Sequence, residues 1–118
     1  MQLNITSRIV NGIVVVDCAG RIVLGEESAN LRDTMKQFVT KGARIILNLG
    51  GVNYIDSSGL GTLVSLYTTA HNGGASIKLA SLTKRVGDLL QVTKLLTVFD
   101  VYEDEQQALD SFREGAAA

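Results

Sequence analysis

Proline is absent from the 118 residues, and cysteine and histidine occur once each. Without proline, turns must be made by Gly, Asn and Asp. A single cysteine excludes an internal disulfide. Cys18 lies in an apolar, strand-like run, where a buried, inert thiol is expected. One histidine and one cysteine cannot build a zinc cluster, so no metal or other cofactor is expected. The longest aliphatic run, Ile13–Val16, falls far short of the ~18 residues a membrane span needs, which argues against direct membrane insertion. Basic charge is not in excess: 11 Lys and Arg stand against 12 Asp and Glu, and the basic footprint of a nucleic-acid binder is missing. Met1-Gln2-Leu3-Asn4 lacks a basic segment followed by an apolar one, so no signal peptide is expected and the sequon Asn4-Ile5-Thr6 has no use. These absences together imply a cytoplasmic chain.

What is present suffices for one self-supporting domain, since 46% of the residues are hydrophobic. Leu3, Ile5 and Ile9 follow a strand-like spacing, and Asn11-Gly12 then precedes Ile13-Val14-Val15-Val16. Asn-Gly accepts the positive φ angles of a tight turn, so an N-terminal hairpin is expected, with its second strand ending near Gly20. From Glu26 the period lengthens. Leu31, Met35, Phe38 and Val39 share one helical face, with Glu26 and Glu27 suited to its start and Lys41-Gly42 to its end. Arg44–Leu49 reads as a strand buried on both faces, followed by a loop.

Leu60, Leu63, Val64 and Tyr67 mark a second helix ending near Asn72-Gly73-Gly74, and Ala75–Leu79 a further strand. Ser81 is the expected cap of a third helix carrying Leu82, Val86, Leu89 and Leu90. Val98–Val101 reads as the last strand. Asp104 with Gln107 resembles a capping box for a final helix burying Ala108, Leu109 and Phe112. The order β-β-α-β-α-β-α-β-α predicts an α/β fold: a mixed, mostly parallel sheet of about five strands, about four helices, and the first strand antiparallel at an edge. The domain is expected over residues 1–114, with Gly115-Ala116-Ala117-Ala118 a frayed tail. Strand order is not legible.

One stretch resists its local setting. Tyr54-Ile55-Asp56-Ser57-Ser58-Gly59-Leu60-Gly61 joins a buried strand to an amphipathic helix and spends two glycines in the first turns. Each costs ~1 kcal/mol against alanine within a helix. Glycine there allows close backbone approach, either by the sheet beneath or by a partner above. Asp56, Ser57 and Ser58 are all good N-caps, yet one helix needs only one. A hydroxyl at a helix N-terminus sits where free N–H groups favour an anion, so the fold would tolerate a phosphate on Ser57.

The stretch Asn48–Gly61, with its Asp56-Ser57-Ser58-Gly59-Leu60-Gly61 core after an apolar strand, resembles the signature of STAS-domain anti-sigma-factor antagonists. The similarity runs on through Gly73-Gly74 to the last helix. The resemblance implies a non-catalytic protein that binds an ATP-bound anti-sigma-factor serine kinase and so releases the sigma factor. It implies inactivation when that kinase phosphorylates Ser57, with Ser58 the neighbouring, less favoured serine, and reactivation by a PP2C-type phosphatase. Asp56, Ser57, Ser58, Gly59, Leu60 and Gly61 map to the partner surface, together with Arg21. Here the chain departs from the family, which often carries Gly-Glu-Leu-Asp where this sequence reads Gly20-Arg21-Ile22-Val23. Monomer and homodimer both stay open.

Other assignments compete. Within the same fold, the domain could serve as a scaffold or adaptor subunit of a stress-sensing or lipid-transport complex. A receiver domain would use Asp56 as phosphoacceptor, but needs an acidic pair near Asp17 and a lysine after the last strand, and has neither. A serine hydrolase would need Gly-x-Ser-x-Gly, whereas Ile55 replaces the first glycine, and His71 falls ~20 Å from Ser57 along the helix.

Overall fold

A computed structural model describes residues 3–117, with side chains up to Arg113. The elements are β1 (Leu3–Val10), β2 (Ile13–Ile22), α1 (Glu26–Val39), β3 (Arg44–Ile55), α2 (Ser57–Asn72), β4 (Ser76–Ala80), α3 (Lys84–Val92), a 3-10 turn (Leu95–Thr97), β5 (Asp100–Tyr102) and α4 (Glu105–Ala117). Asn11 and Gly12 carry φ of 53° and 79°, the turn geometry that Asn-Gly supplies. The strands lie in chain order, β1-β2-β3-β4-β5, with β1 antiparallel to β2 and all other pairs parallel.

That order explains how the helices are distributed. Right-handed crossovers stepping in one direction across a sheet place every connecting helix on the same face. Helices α1, α2 and α3 accordingly share one core, where Leu31, Met35, Leu63 and Leu90 meet Val14, Val16, Ile45, Leu47 and Leu79. Helix α4 follows the last strand and is not a crossover between two of the five strands. It covers the opposite face, packing Ala108, Leu109 and Phe112 on Ile13, Val15, Ile46 and Ala80. Consecutive residues of β2 and β3 therefore feed different cores, and both strands read as unbroken apolar runs. No helix among the described residues is long and apolar enough to cross a membrane.

Several boundaries differ from the sequence-based expectation. The segment after Leu49 is not a loop: β3 continues to Ile55 because β2 continues beside it, pairing Gly20 with Val52 and Ile22 with Ile55. Two register shifts accommodate this, between Asp17 and Ala19 and between Gly20 and Arg21. A Cβ on Gly51 would lie 2.7 Å from that of Ala19, so glycine lets the strands close. Ser81 does not cap α3. Its φ is 61°, incompatible with the extended backbone of an N-cap, and Thr83 takes the role, accepting a bond from Val86 N–H at 3.3 Å. The last strand begins at Asp100 rather than Val98, the chain before it being turned by the 3-10 segment. Asp104 does cap α4, accepting from Gln107 N–H at 2.8 Å, but the Gln107 side chain returns to the amide of Glu103, at 3.3 Å, rather than to that of Asp104, so the capping box is only half formed. Helix α4 takes in residues 115–117 of the expected tail; Ala118 lies outside the described residues.

Cys18 is buried, and burial pushes its thiol up to about 12. Because only the thiolate reacts quickly, labelling by a thiol reagent at neutral pH should track global opening and accelerate only in denaturant.

The start of α4 is pinned to the sheet by charge. Arg8 on β1 donates Nε to Asp17 at 2.9 Å and Nη1 to Glu105 at 2.9 Å, with Nη2 bridging both carboxylates. Asn48 Nδ2 reaches Glu105 at 3.3 Å. The Arg8 hydrogen bond holds the Glu105 carboxyl below its usual range, against the opposing effect of burial. A depressed carboxyl adds stability above its unfolded value of ~4.3 and loses it as pH falls through the folded value. Glu105→Gln should thus lower stability at pH 7 by about 1 kcal/mol. The gap to wild type should shrink below about pH 4 in urea titrations. A gap unchanged down to pH 3 would contradict this assignment.

Candidate functional site

The long β2–β3 pair runs past the point where β4 stops pairing, at Asn48 with Ala80. It carries the turn Asp56-Ser57 to the end of the sheet. Asp56 is the N-cap of α2, and its extended backbone (φ −92°, ψ 179°) lets the side chain fold back onto the helix. Oδ1 accepts from Gly59 N–H at 2.7 Å, and Oδ2 accepts from Leu24 N–H at 3.1 Å in the loop after β2. The Asp56 amide donates to the Ile22 carbonyl at 3.2 Å. One carboxylate therefore ties the β2–α1 loop to the start of α2. The Gly59 and Leu24 amides hold it well below the ordinary carboxylate range, with Arg21 adding in the same direction.

The next residues divide between fold and surface. Gly59 lies against β2: a Cβ there would stand 2.1 Å from the Ile22 carbonyl oxygen and 2.9 Å from Ile55 Cγ2. Leu60 points into the core. Gly61 faces the other way, and a Cβ there would meet nothing within 4 Å. The two glycines, alike in sequence, have different causes. Ser57 is exposed, and its hydroxyl makes no hydrogen bond to any described residue. Ser58 is half-buried, its carbonyl accepting from Thr62 Oγ1 at 3.1 Å. Arg21 lies with its guanidinium 5.2 Å from the centre of the Tyr54 ring.

Beside Ser57 runs an open groove of about 590 Å³. Tyr54, Ile55, Asp56 and Ser57 form one wall, and Arg85, Val86, Asp88, Leu89 and Val92 of α3 form the other. Val92 is 79% exposed, and Leu24, on the loop held by Asp56, is 76% exposed. The α3 wall and Leu24 were not legible as site residues. The one signal in the sequence was Val92, three residues after Leu89 and off the buried line of Val86 and Leu90. His71 lies on the last turn of α2, stacked on Tyr67 with ring centres 6.3 Å apart, and contributes nothing to the site.

The arrangement offers an unengaged, exposed hydroxyl on Ser57, an aspartate whose two oxygens are committed to the fold, and an apolar strip alongside. That suits docking and modification of a surface. Among the described residues no group of three or more His, Cys, Asp or Glu side chains could hold a metal ion.

The STAS domain family model matches residues 4–108. The anti-sigma-B factor antagonist of Bacillus subtilis (strain 168) is 29% identical over 101 residues, covering 86% of this chain and 92% of that protein. The crystal structure of TM1081 from Thermotoga maritima superposes with a TM-score of 0.83 at 23% identity, covering 92% of this chain and 94% of that one. The Bacillus cell fate determinant SpoIIAA, in its phosphorylated form, superposes with a TM-score of 0.70 at 19% identity over 92% of this chain and 99% of that one.

Proposed function

The chain belongs to the STAS domain family, and on that premise we propose that it is a cytoplasmic anti-sigma-factor antagonist switched by phosphorylation of Ser57. In the unphosphorylated form it binds an ATP-bound anti-sigma-factor serine kinase and frees the sigma factor. In the phosphorylated form it lets the kinase go, until a PP2C-type phosphatase removes the mark. The observation that carries this reading is the exposed hydroxyl of Ser57, unengaged beside an apolar groove, while Asp56 before it and Gly59 two residues on are consumed by the fold. The antagonist names of its relatives point the same way.

The chemistry divides between the two proteins. The Ser57 Oγ–phosphorus bond forms as the bond from the γ-phosphorus to the β–γ bridging oxygen of ATP breaks, leaving ADP. The hydroxyl proton must go to a base. Asp56 is poorly suited, because both its oxygens already accept backbone N–H groups and its basicity is lowered by them. The base therefore comes from the kinase, and this chain supplies only a nucleophile held at a rigid helix start.

The test is a pull-down from the source organism with wild-type and Ser57→Asp baits, followed by incubation of the captured partner with ATP and this protein. Mass spectrometry should find the phosphate on Ser57, and the chain alone should release no phosphate from ATP. Phosphate confined to Ser58 or Asp56, or ATP turnover abolished by a mutation in this chain, would refute the proposal.

A further inference from the structure

Resting on the reading of Ser57 above, we propose that Arg85 of α3 binds the phosphate once Ser57 carries it, so that the modified protein closes its own groove. Ser57 and Arg85 line opposite walls of the same cleft. Arg85 is exposed and forms no salt bridge with any described residue. The two carboxylates that could engage it are already occupied: Asp88 pairs with Lys84 at 2.9 Å, and Asp56 accepts the Gly59 and Leu24 amides. Arg21, the other nearby cation, lies over the Tyr54 ring. The groove is thus lined by one uncommitted guanidinium and one uncommitted hydroxyl.

A phosphoserine brings a charge of about −1.5 to −2 and three acceptor oxygens. A guanidinium presents two parallel N–H donors that match such a group, which a lysine cannot do. In reaching across the cleft, the arginine stem lies over Leu89 and the floor of the groove, and apolar surface offered to a partner is withdrawn. Phosphorylation then acts twice, once by placing charge on the docking surface and once by covering the surface beside it.

The contact can be read without the kinase. Phosphoserine is installed at position 57 during translation, and the second ionisation of its phosphate is followed by phosphorus NMR as pH is varied. Asp56 and Asp88 raise that midpoint, while Arg85 and Arg21 lower it. Comparing Arg85→Gln with its parent isolates one cation. The parent should titrate about one pH unit below Arg85→Gln, a tenfold difference in proton affinity. Arg85→Lys should recover part of the shift, and Arg21→Gln should change the midpoint by less than Arg85→Gln. Equal midpoints for parent and Arg85→Gln, or a larger effect from Arg21→Gln, would overturn the assignment. Partner binding separates the two readings. Phosphoprotein that shows the Arg85-dependent shift yet binds the partner undiminished keeps the contact and removes the switch. Phosphoprotein that releases the partner but titrates alike with and without Arg85 keeps the switch and removes the contact.

Discussion

Alanine in place of Gly59 is expected to destabilise the domain by about 3 kcal/mol or more. The new methyl would stand 2.1 Å from the Ile22 carbonyl oxygen, far inside contact distance. Flexible side-chain tips can yield to such an intrusion, but this neighbour is backbone. It belongs to the last residue of β2, paired to Ile55, and it also accepts the Asp56 amide at 3.2 Å. Moving it disturbs the β2–β3 ladder and the cap of α2 together. Against the 5–15 kcal/mol that holds a typical domain, that loss is a large fraction. Gly61 provides the contrast. A methyl there meets nothing within 4 Å, so Gly61→Ala should raise stability by about 0.5–1 kcal/mol through helix propensity alone. Urea denaturation of the two variants checks both signs. Wild-type stability in Gly59→Ala would contradict the packing described. If Gly61 is glycine for the sake of a partner's close approach, Gly61→Val should weaken partner binding by more than it weakens folding.

The contrast also marks where sequence reasoning stops. Both glycines were recognisable as misplaced in a helix, and two explanations stood open for them, internal packing and an outside partner. The structure places one against β2 and leaves the other open to solvent, a distinction set by helical phase relative to a strand some 35 residues earlier in the chain. The hairpin, by contrast, was legible because Asn11-Gly12 states its own backbone geometry. Helix α1 was legible because Leu31, Met35 and Val39 recur at helical spacing on its buried face. The end of β3 was not, because Gly50-Gly51-Val52-Asn53-Tyr54-Ile55 has neither a clean alternation nor strong propensity and is held as strand by β2 alongside. The cap at Ser81 was misplaced for a related reason: a serine advertises capping, but the positive φ imposed where the chain leaves β4 removes it from that role. Asp56 and Ser57 could be singled out as a polar turn before an apolar helix. The groove could not, since its second wall belongs to α3, nearly thirty residues on, and only the chain-order sheet brings Arg85 and Val92 beside the turn.

Ser57→Asp is expected to leave the fold nearly unchanged and to lower affinity for the partner by about a hundredfold, some 3 kcal/mol. The first half follows from what Ser57 lacks. Its side chain is exposed, no described residue hydrogen-bonds its hydroxyl, and it occupies the first turn of α2, where an acidic group gains ~0.3–1 kcal/mol from the helix N-terminus. Repulsion from the neighbouring Asp56 is of opposite sign and comparable size, so the thermal midpoint should stay within about 3 °C of wild type. The second half follows from what surrounds it. Tyr54, Leu89, Val92 and Leu24 make the adjoining surface apolar, and a partner seated there excludes water from the new carboxylate. Charge stripped of hydration costs several kcal/mol, more than one exposed guanidinium such as Arg85 returns, and part of that cost the complex escapes by loosening. Phosphoserine, with nearly twice the charge, should weaken binding further, while Ser57→Ala should bind as wild type and accept no phosphate at this position. Calorimetric titration of the partner with the four forms gives the order wild type and Ser57→Ala together, then Ser57→Asp, then phosphoserine. A Ser57→Asp protein that keeps its fold and its full affinity would place the partner's contact elsewhere than on this turn.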